Sequence, residues 1–162
     1  MAITPEGRRI EVGLFARNGM SGTSVLLGSD RSPHETFVQV AGAALRMDTD
    51  KFTDATRKSQ SLHQLLLRYV EAFQVQVAHT AVSHGSYTIE ERLARWLVMC
   101  HDRLDGDHLP LVHEFLALML GVRRPGVTLA LQMLEGAGVI HAKRGLITVR
   151  DRAKLQEIAG GS

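Results

Sequence analysis

The pattern of hydrophobic and polar positions changes near residue 48. Before that point, apolar residues come in short runs separated by Gly, Asn, Ser and Pro, which is typical of strands and turns. The runs predict strands at 10–15, 25–27, 36–40 and 43–47. Four short strands cannot close a barrel or cover their own edges. We therefore interpret the N-terminal part as a fragment of a larger β-structure.

After residue 48 the apolar spacing becomes helical. Asp48 is a good N-cap and predicts a short helix near 49–58, followed by a long helix from about 61 to 83 that breaks at His84. The long helix has two apolar sides, whereas one core needs one stripe. We expect one side to pack on the strands and the other side to pack on the same helix of a second protomer. The alternative is a monomer in which this helix is fully buried. The predicted dimer interface comprises Leu62, Leu66, Tyr69, Phe73 and Val77.

The last part of the chain predicts helices and a hairpin. A capping box from Thr88 to Glu91 opens a helix at about 89–104, with Leu93, Trp96, Leu97 and Cys100 as its core stripe. Apolar segments follow at 111–120, at 125–137 and on both sides of a turn at 143–145. Helix, tight turn, helix and hairpin within about 40 residues is the layout of a winged helix-turn-helix.

The turn between the two helices carries the most specific spacing. Ala117, Gly121 and Val127 occupy positions five, nine and fifteen of a motif that begins at His113. A small Ala lets the helices cross closely, Gly ends the first helix in a left-handed conformation, and Val packs the second helix onto the first. Pro125 falls in the first turn of the second helix, where its missing N–H costs nothing.

Positive charge concentrates on this motif. The net charge of the chain is only +2, yet residues 123–154 carry seven basic residues against two acidic ones. Such a patch suits a polyanion, although a solvated charged face is the alternative. Arginines at the start of an exposed helix suit contacts to phosphate and to guanine. The predicted DNA-contacting residues are Arg123, Arg124, Thr128, Leu129 and Gln132 on the second helix, His113, and Lys143 and Arg144 at the hairpin tip.

Catalysis, secretion and membrane spanning are not indicated. The eight His form no His-x-x-x-His pair, and the neighbours Cys100 and His101 point to different faces of a helix. A single Cys cannot close an intramolecular disulfide, which favours a reducing compartment. No apolar stretch approaches the length of a membrane span. We therefore expect a cytoplasmic protein that is not an enzyme and uses no cofactor or metal.

The segment GVRRPGVTLALQMLEGAGVI, with LPLVHEFLALML before it and HAKRGLITV after it, resembles the DNA-binding domain of the Crp/Fnr family of bacterial transcription regulators. The resemblance continues through the long helix and more weakly into 10–47, which is similar to the end of a cyclic-nucleotide-binding-like β-roll. It implies a mainly α fold with small β parts (α+β): a partial β-roll at 1–47, a helical linker and dimerisation helix at 48–84, and a winged helix-turn-helix at 85–162. It also implies a homodimer that binds palindromic double-stranded DNA through a recognition helix near 124–137, with RNA polymerase as a further partner.

Three departures from the family pattern change these expectations. Members that bind cyclic nucleotide use Gly-x-x-Gly-Glu, whereas this chain has Thr23 in place of the Glu, so we expect no physiological binding of cyclic AMP. Val112 stands where the family often has a capping Thr, and Leu129 stands where some members have a second base-reading Arg. The target sequence therefore cannot be copied from the family. A winged-helix interaction or dimerisation module without specific DNA binding is the alternative function.

Overall fold

The computed structural model describes residues 1–3, 5, 7 and 9–160 and is mainly helical, with two small antiparallel sheets. The predicted fold class, mainly α with small β parts, is confirmed. Strand β1 (Ala2–Ile3) pairs antiparallel with β2 (Arg9–Ile10), and helix α1 (Thr23–Leu26) follows.

Most of the strands predicted in the N-terminal part do not form. The prediction at 25–27 is wrong because Val25 and Leu26 lie in α1. Of the first predicted run only Ile10 is in a strand, and the described residues at 36–40 and 43–47 lie outside strands. A strand must satisfy its backbone N–H and C=O groups on a neighbouring strand. Among the described residues, these runs have no hydrogen-bonded partner strand apart from the pairing at Ile10, so apolar alternation alone leaves them irregular.

Helices α2 (Thr49–Lys58) and α3 (Gln60–Ser86) follow close to the predicted positions. Asp48 is the N-cap of α2, but its carboxylate pairs with Lys51 at 3.3 Å and makes no capping hydrogen bond. The predicted break at His84 is wrong, since α3 continues to Ser86. A glycine inside a helix costs only about 1 kcal/mol, and the buried Thr80 and Ser83 anchor this last part of the helix.

Helix α4 (Ile89–His101) is the centre of the C-terminal core. Its predicted capping box forms: the Thr88 hydroxyl accepts from the Glu91 N–H at 3.2 Å, and the Glu91 carboxylate accepts from the Thr88 N–H at 2.7 Å. These hydrogen bonds lower the pKa of Glu91. The predicted core stripe is confirmed, because its four residues are all buried. Burial also raises the pKa of the Cys100 thiol, which keeps it protonated and unreactive.

The remaining elements complete a winged helix-turn-helix. Helices α5 (His113–Leu120) and α6 (Arg124–Gly136) precede a hairpin of β4 (Ile140–Lys143) and β5 (Leu146–Val149), as predicted. Two elements were not predicted: β3 (His108–Leu109), which pairs with β5 so that the sheet order is β3-β5-β4, and α7 (Arg152–Ile158). Helices α6 and α7 both pack against α4.

The N-terminal segment packs directly on the winged domain. Leu14 packs against the core that α4 organises, and the Phe37 ring lies 6.1 Å from that of Phe115, edge to face. Ile10 lies against the turn of the motif, since a Cβ on Gly121 would stand 3.6 Å from the Ile10 Cγ1. The predicted domain boundaries stay predictions.

Gly121→Ala is expected to lower the free energy of unfolding by about 1 to 2 kcal/mol, because Gly121 has φ +62° and ψ +33°. Urea unfolding measures the change. Gly136→Ala is the matched control: an added Cβ there has no heavy atom within 4 Å, and alanine favours a helix. It should leave stability unchanged or raise it. Equal losses in both variants would show that the left-handed turn is not what requires Gly121.

Candidate nucleic-acid interface

The core contacts of α5 and α6 decide which face of α6 is exposed. Helix α5 ends at the left-handed Gly121, and the Val122 N–H donates to the Ala117 carbonyl at 3.0 Å. Pro125 lies in the first turn of α6, as predicted. One face of α6 packs into the core, and the buried residues of this face are Val127, Ala130, Leu131 and Leu134. The opposite face is left to solvent.

The side chains predicted to face outward on α6 lie on that opposite face. Arg123, Arg124, Leu129 and Gln132 are exposed, and Thr128 is half-buried. The sequence analysis missed Met133, whose side chain is 51% exposed beside Leu129 at 59%. Its position one helical turn after Leu129 was the available signal.

His113 connects the two helices of the motif on this face. Its Nδ1 lies 3.3 Å from the Thr128 Oγ1, and that hydroxyl donates to the Arg124 carbonyl at 3.2 Å. Since the hydroxyl hydrogen goes to the carbonyl, the His113 Nδ1–H is the donor in the first contact. His113 therefore connects the start of α5 to the exposed face of α6, and the hydroxyl hydrogen of Thr128 is used within the chain.

The hairpin tip lies beside the start of α5. Arg144 and Gly145 form the tight turn, in which Gly145 has φ +76° and Lys143 and Arg144 are exposed. A Cβ on Gly145 would stand 3.7 Å from the Val112 Cγ1. The tip thus neighbours Val112, which precedes the residue that contacts Thr128. The hairpin tip, the start of α5 and the exposed face of α6 form one continuous surface.

We call the four cations of this surface, Arg123, Arg124, Lys143 and Arg144, the basic surface. In the part of the chain that the structure describes, none of the four has a carboxylate within ion-pairing distance, whereas Arg9 and Arg17 pair with Glu35 and Asp105, each at 2.9 Å. Helix α6 also starts without a side-chain cap and without an acid in its first turn. The helix dipole adds positive potential at the same place. Positive charge is therefore concentrated on this surface.

Two residues of the predicted dimer interface contact the N-terminal segment of their own chain. The Tyr69 hydroxyl donates to the Met20 carbonyl and accepts from the Met20 N–H, both at 3.0 Å. The Phe73 ring lies against Gly13 and edge-on to Phe15, with centroids 6.3 Å apart. Leu62, Leu66 and Val77 are half-buried. On the other apolar side of α3, Val70 is buried, whereas the remaining members are exposed: Leu67, Val75, Ala78 and Val82.

A buried polar joint connects the N-terminal segment, the end of α3 and the winged domain. Glu11, only 5% exposed, faces a cavity of about 10 Å³ that is lined by Thr80, Ser83, His84, Arg92, Arg95, Trp96 and Leu120. Burial raises the pKa of Glu11 to about 7, and Arg95 opposes this shift. Arg92 contacts the His84 Nδ1 at 2.5 Å and donates to the Leu120 carbonyl, so it links the ends of α3 and α5. No motif in the sequence indicated this joint.

Among the described residues, no three His, Cys, Asp or Glu side chains are grouped as a metal site requires. None of the described helices is long and apolar enough to cross a membrane.

Comparison with known proteins gives a family match and several similar folds. Residues 91–158 match the Crp-like helix-turn-helix domain. A Crp/Fnr-family transcriptional regulator from Thermus thermophilus superposes with a TM-score of 0.66 at 20% identity, over 98% of this chain and 81% of that one. FixK2 from Bradyrhizobium japonicum gives 0.61 at 19% identity, over 68% and 58%. A CooA mutant from Carboxydothermus hydrogenoformans gives 0.57 at 20% identity, over 69% and 55%. The chain thus spans little more than half of the last two proteins. A search of curated proteins finds no significant match.

Proposed function

We propose that this chain, whose residues 91–158 match the Crp-like helix-turn-helix domain, is a transcription regulator of the Crp/Fnr type that binds double-stranded DNA sequence-specifically through α6 and the β4–β5 hairpin. The observation that carries the proposal is the basic surface, which has no carboxylate partners among the described residues. A structural helix would favour Asp or Ser at its N-cap, whereas α6 has Arg123 there and begins with Arg124.

Each part of the surface has a distinct task in this proposal. The start of α6 enters the major groove, where Arg124 can donate two hydrogen bonds to the O6 and N7 of a guanine. Arg123 at the N-cap, where the helix dipole adds positive potential, binds a phosphate. Lys143 and Arg144 reach the adjacent backbone from the hairpin tip and contribute affinity without sequence preference.

A second candidate is a winged-helix module that binds a protein. The exposed Leu129 and Met133 favour it, since apolar side chains on a surface suit a protein contact. The four unpaired cations around them favour DNA instead.

Selection of binding sites from random duplexes tests the proposal. A regulator of this type should enrich an inverted repeat with half-sites about one helical turn apart. Binding to the enriched duplex should weaken steeply with salt, because each neutralised phosphate releases counterions. A protein-binding module would enrich no sequence, and that result would refute sequence-specific binding.

We also infer that the dimer forms through the exposed apolar side of α3. Tyr69 and Phe73 are occupied by the N-terminal segment, whereas Leu67, Val75 and Val82 are 42%, 48% and 56% exposed. The spacing of these residues along a helix of 27 residues fits a seam between two parallel helices. A two-fold axis along α3 would present two α6 helices to a palindrome.

Val75→Glu is expected to shift the protein from dimer to monomer, because it places two carboxylates at the seam. Sedimentation equilibrium at micromolar concentrations measures the mass. Leu65→Glu is the control, since Leu65 is exposed on another side of the same helix and should leave the dimer intact. A monomeric wild type, or equal effects of the two substitutions, would exclude this interface.

Arg123→Ser is expected to raise the free energy of unfolding by about 1 kcal/mol while weakening DNA binding, because serine can cap α6 but cannot pair with a phosphate. Urea unfolding and duplex titration measure the two changes. Arg150→Ser removes an exposed arginine that is not at a helix cap and should not stabilise the protein. If Arg123→Ser lowered stability, the arginine would be needed for the fold itself.

A further inference from the structure

We propose that Leu129 and Met133 recognise the 5-methyl groups of thymine in the major groove, so that α6 selects half-sites with thymine beside the base pair that Arg124 contacts. This inference rests on the proposed DNA-binding function and specifies the base chemistry that the site takes. It makes the two apolar side chains specificity-determining residues.

The first observation is the placement of these side chains. Leu129 and Met133 lie one turn apart on α6 and are 59% and 51% exposed. The core does not need them, because the buried face of α6 is already filled by other residues. Exposed apolar side chains at the middle of a DNA-facing helix are unfavourable in water. They become favourable when an apolar group covers them.

The second observation is that Thr128 has no hydroxyl hydrogen left to donate to a base. Its hydroxyl donates to the Arg124 carbonyl and accepts from His113. Between Arg124 and Met133, the exposed face then offers free side-chain hydrogen-bond donors only from Arg124 at its start and Gln132 toward its end. The fully exposed side chains between them are apolar.

Base chemistry connects the two observations to thymine. In the major groove, adenine, guanine and cytosine present hydrogen-bond donors or acceptors, and only thymine also presents a methyl group. A polar base edge covered by Leu129 or Met133 would lose its water without gaining a partner, which is unfavourable. Contact between a thymine methyl and Leu129 or Met133 would instead remove apolar surface of both groups from water, which is favourable.

The test replaces thymine by uracil, which lacks only the 5-methyl group. In the duplex enriched by selection, each thymine of one half-site is replaced singly by deoxyuridine, and binding is measured by titration. We expect one or two positions at which uracil weakens binding about fourfold, the equivalent of about 0.8 kcal/mol for one buried methyl group. At the other positions uracil should have no effect.

Three variants assign the effect to side chains. Leu129→Ala and Met133→Ala should each abolish the uracil effect at its own position, and both residues are exposed, so the fold should be retained. Gln132→Ala, on the same face, should weaken binding without changing the uracil effect.

The outcomes separate this inference from the proposed function. Tight, sequence-specific binding with equal affinity for thymine and uracil duplexes would overturn methyl recognition and leave DNA binding standing. No binding to any duplex would overturn both. A uracil effect that persists in Leu129→Ala and Met133→Ala would also overturn the assignment, because other groups would then contact the methyls.

Discussion

Arg124→Ala is expected to weaken binding to the selected duplex by about 1 to 3 kcal/mol and to relax the preference at one base pair of each half-site. The reason is that Arg124 is exposed at the first turn of α6, has no carboxylate partner among the described residues and is free to contact a guanine edge. Titration of the wild type and the variant with the selected duplex and with single-base variants of it measures both effects.

The hairpin tip provides the matched control for Arg124. Replacing Lys143 and Arg144 by alanine should weaken binding to all sequences alike and reduce the salt dependence by about one unit of slope for each lost phosphate contact. Equal losses for Arg124→Ala on selected and random duplexes would assign Arg124 to the backbone rather than to a base.

Glu11→Gln is expected to remove a pH dependence of stability of about 3 kcal/mol between pH 4 and pH 8. Burial raises the pKa of Glu11 to about 7 in the folded protein from an ordinary value of 4.5. Between these values the folded state holds a proton that the unfolded state has released. The stabilisation is therefore fully present below about pH 4.5 and is lost as the pH rises through 7.

Several charged and polar groups face Glu11, and those that titrate also contribute to the pH dependence of stability. They are Arg92, Arg95 and Trp96 from α4, Thr80, Ser83 and His84 from α3, and at longer range the Met1 amino group and Arg103. His84 acts in the opposite direction: burial, followed by Arg92, lowers its pKa, so its contribution is lost as the pH falls. The difference between the wild type and Glu11→Gln therefore isolates the carboxyl group.

Urea unfolding across this pH range measures that difference. The wild type should lose stability with rising pH relative to Glu11→Gln, whereas Glu157→Gln, at an exposed carboxyl group, should run parallel to the wild type. Parallel curves for Glu11→Gln and the wild type would show that the pKa of Glu11 is the same in the folded and unfolded states.

The elements that the sequence predicted correctly depend on neighbouring residues. The capping box at Thr88, the left-handed Gly121 and the hairpin turn at Gly145 each act within a few residues, so their effect is readable without knowing the rest of the fold. The exposed face of α6 was predictable for the same reason, because helical periodicity assigns one face to the core once Val127 is buried.

Tertiary contacts decided the rest. Val25 and Leu26 are helical rather than extended because a strand depends on a partner strand that local sequence cannot supply. The joint around Glu11 brings together residues from distant parts of the chain, which no spacing rule connects.

Helix α3 shows the division most clearly. The sequence by itself determined that this helix has two apolar sides, because periodicity is a local property. Both sides are apolar, so periodicity does not say which one is covered within the chain. The docking of the N-terminal segment on Tyr69 and Phe73 covers their side and leaves most of the other side exposed. Which side is covered depends on contacts between distant segments of the chain. The hydrophobic effect favours burial of either side equally well per unit area, so it does not select one side before those contacts form.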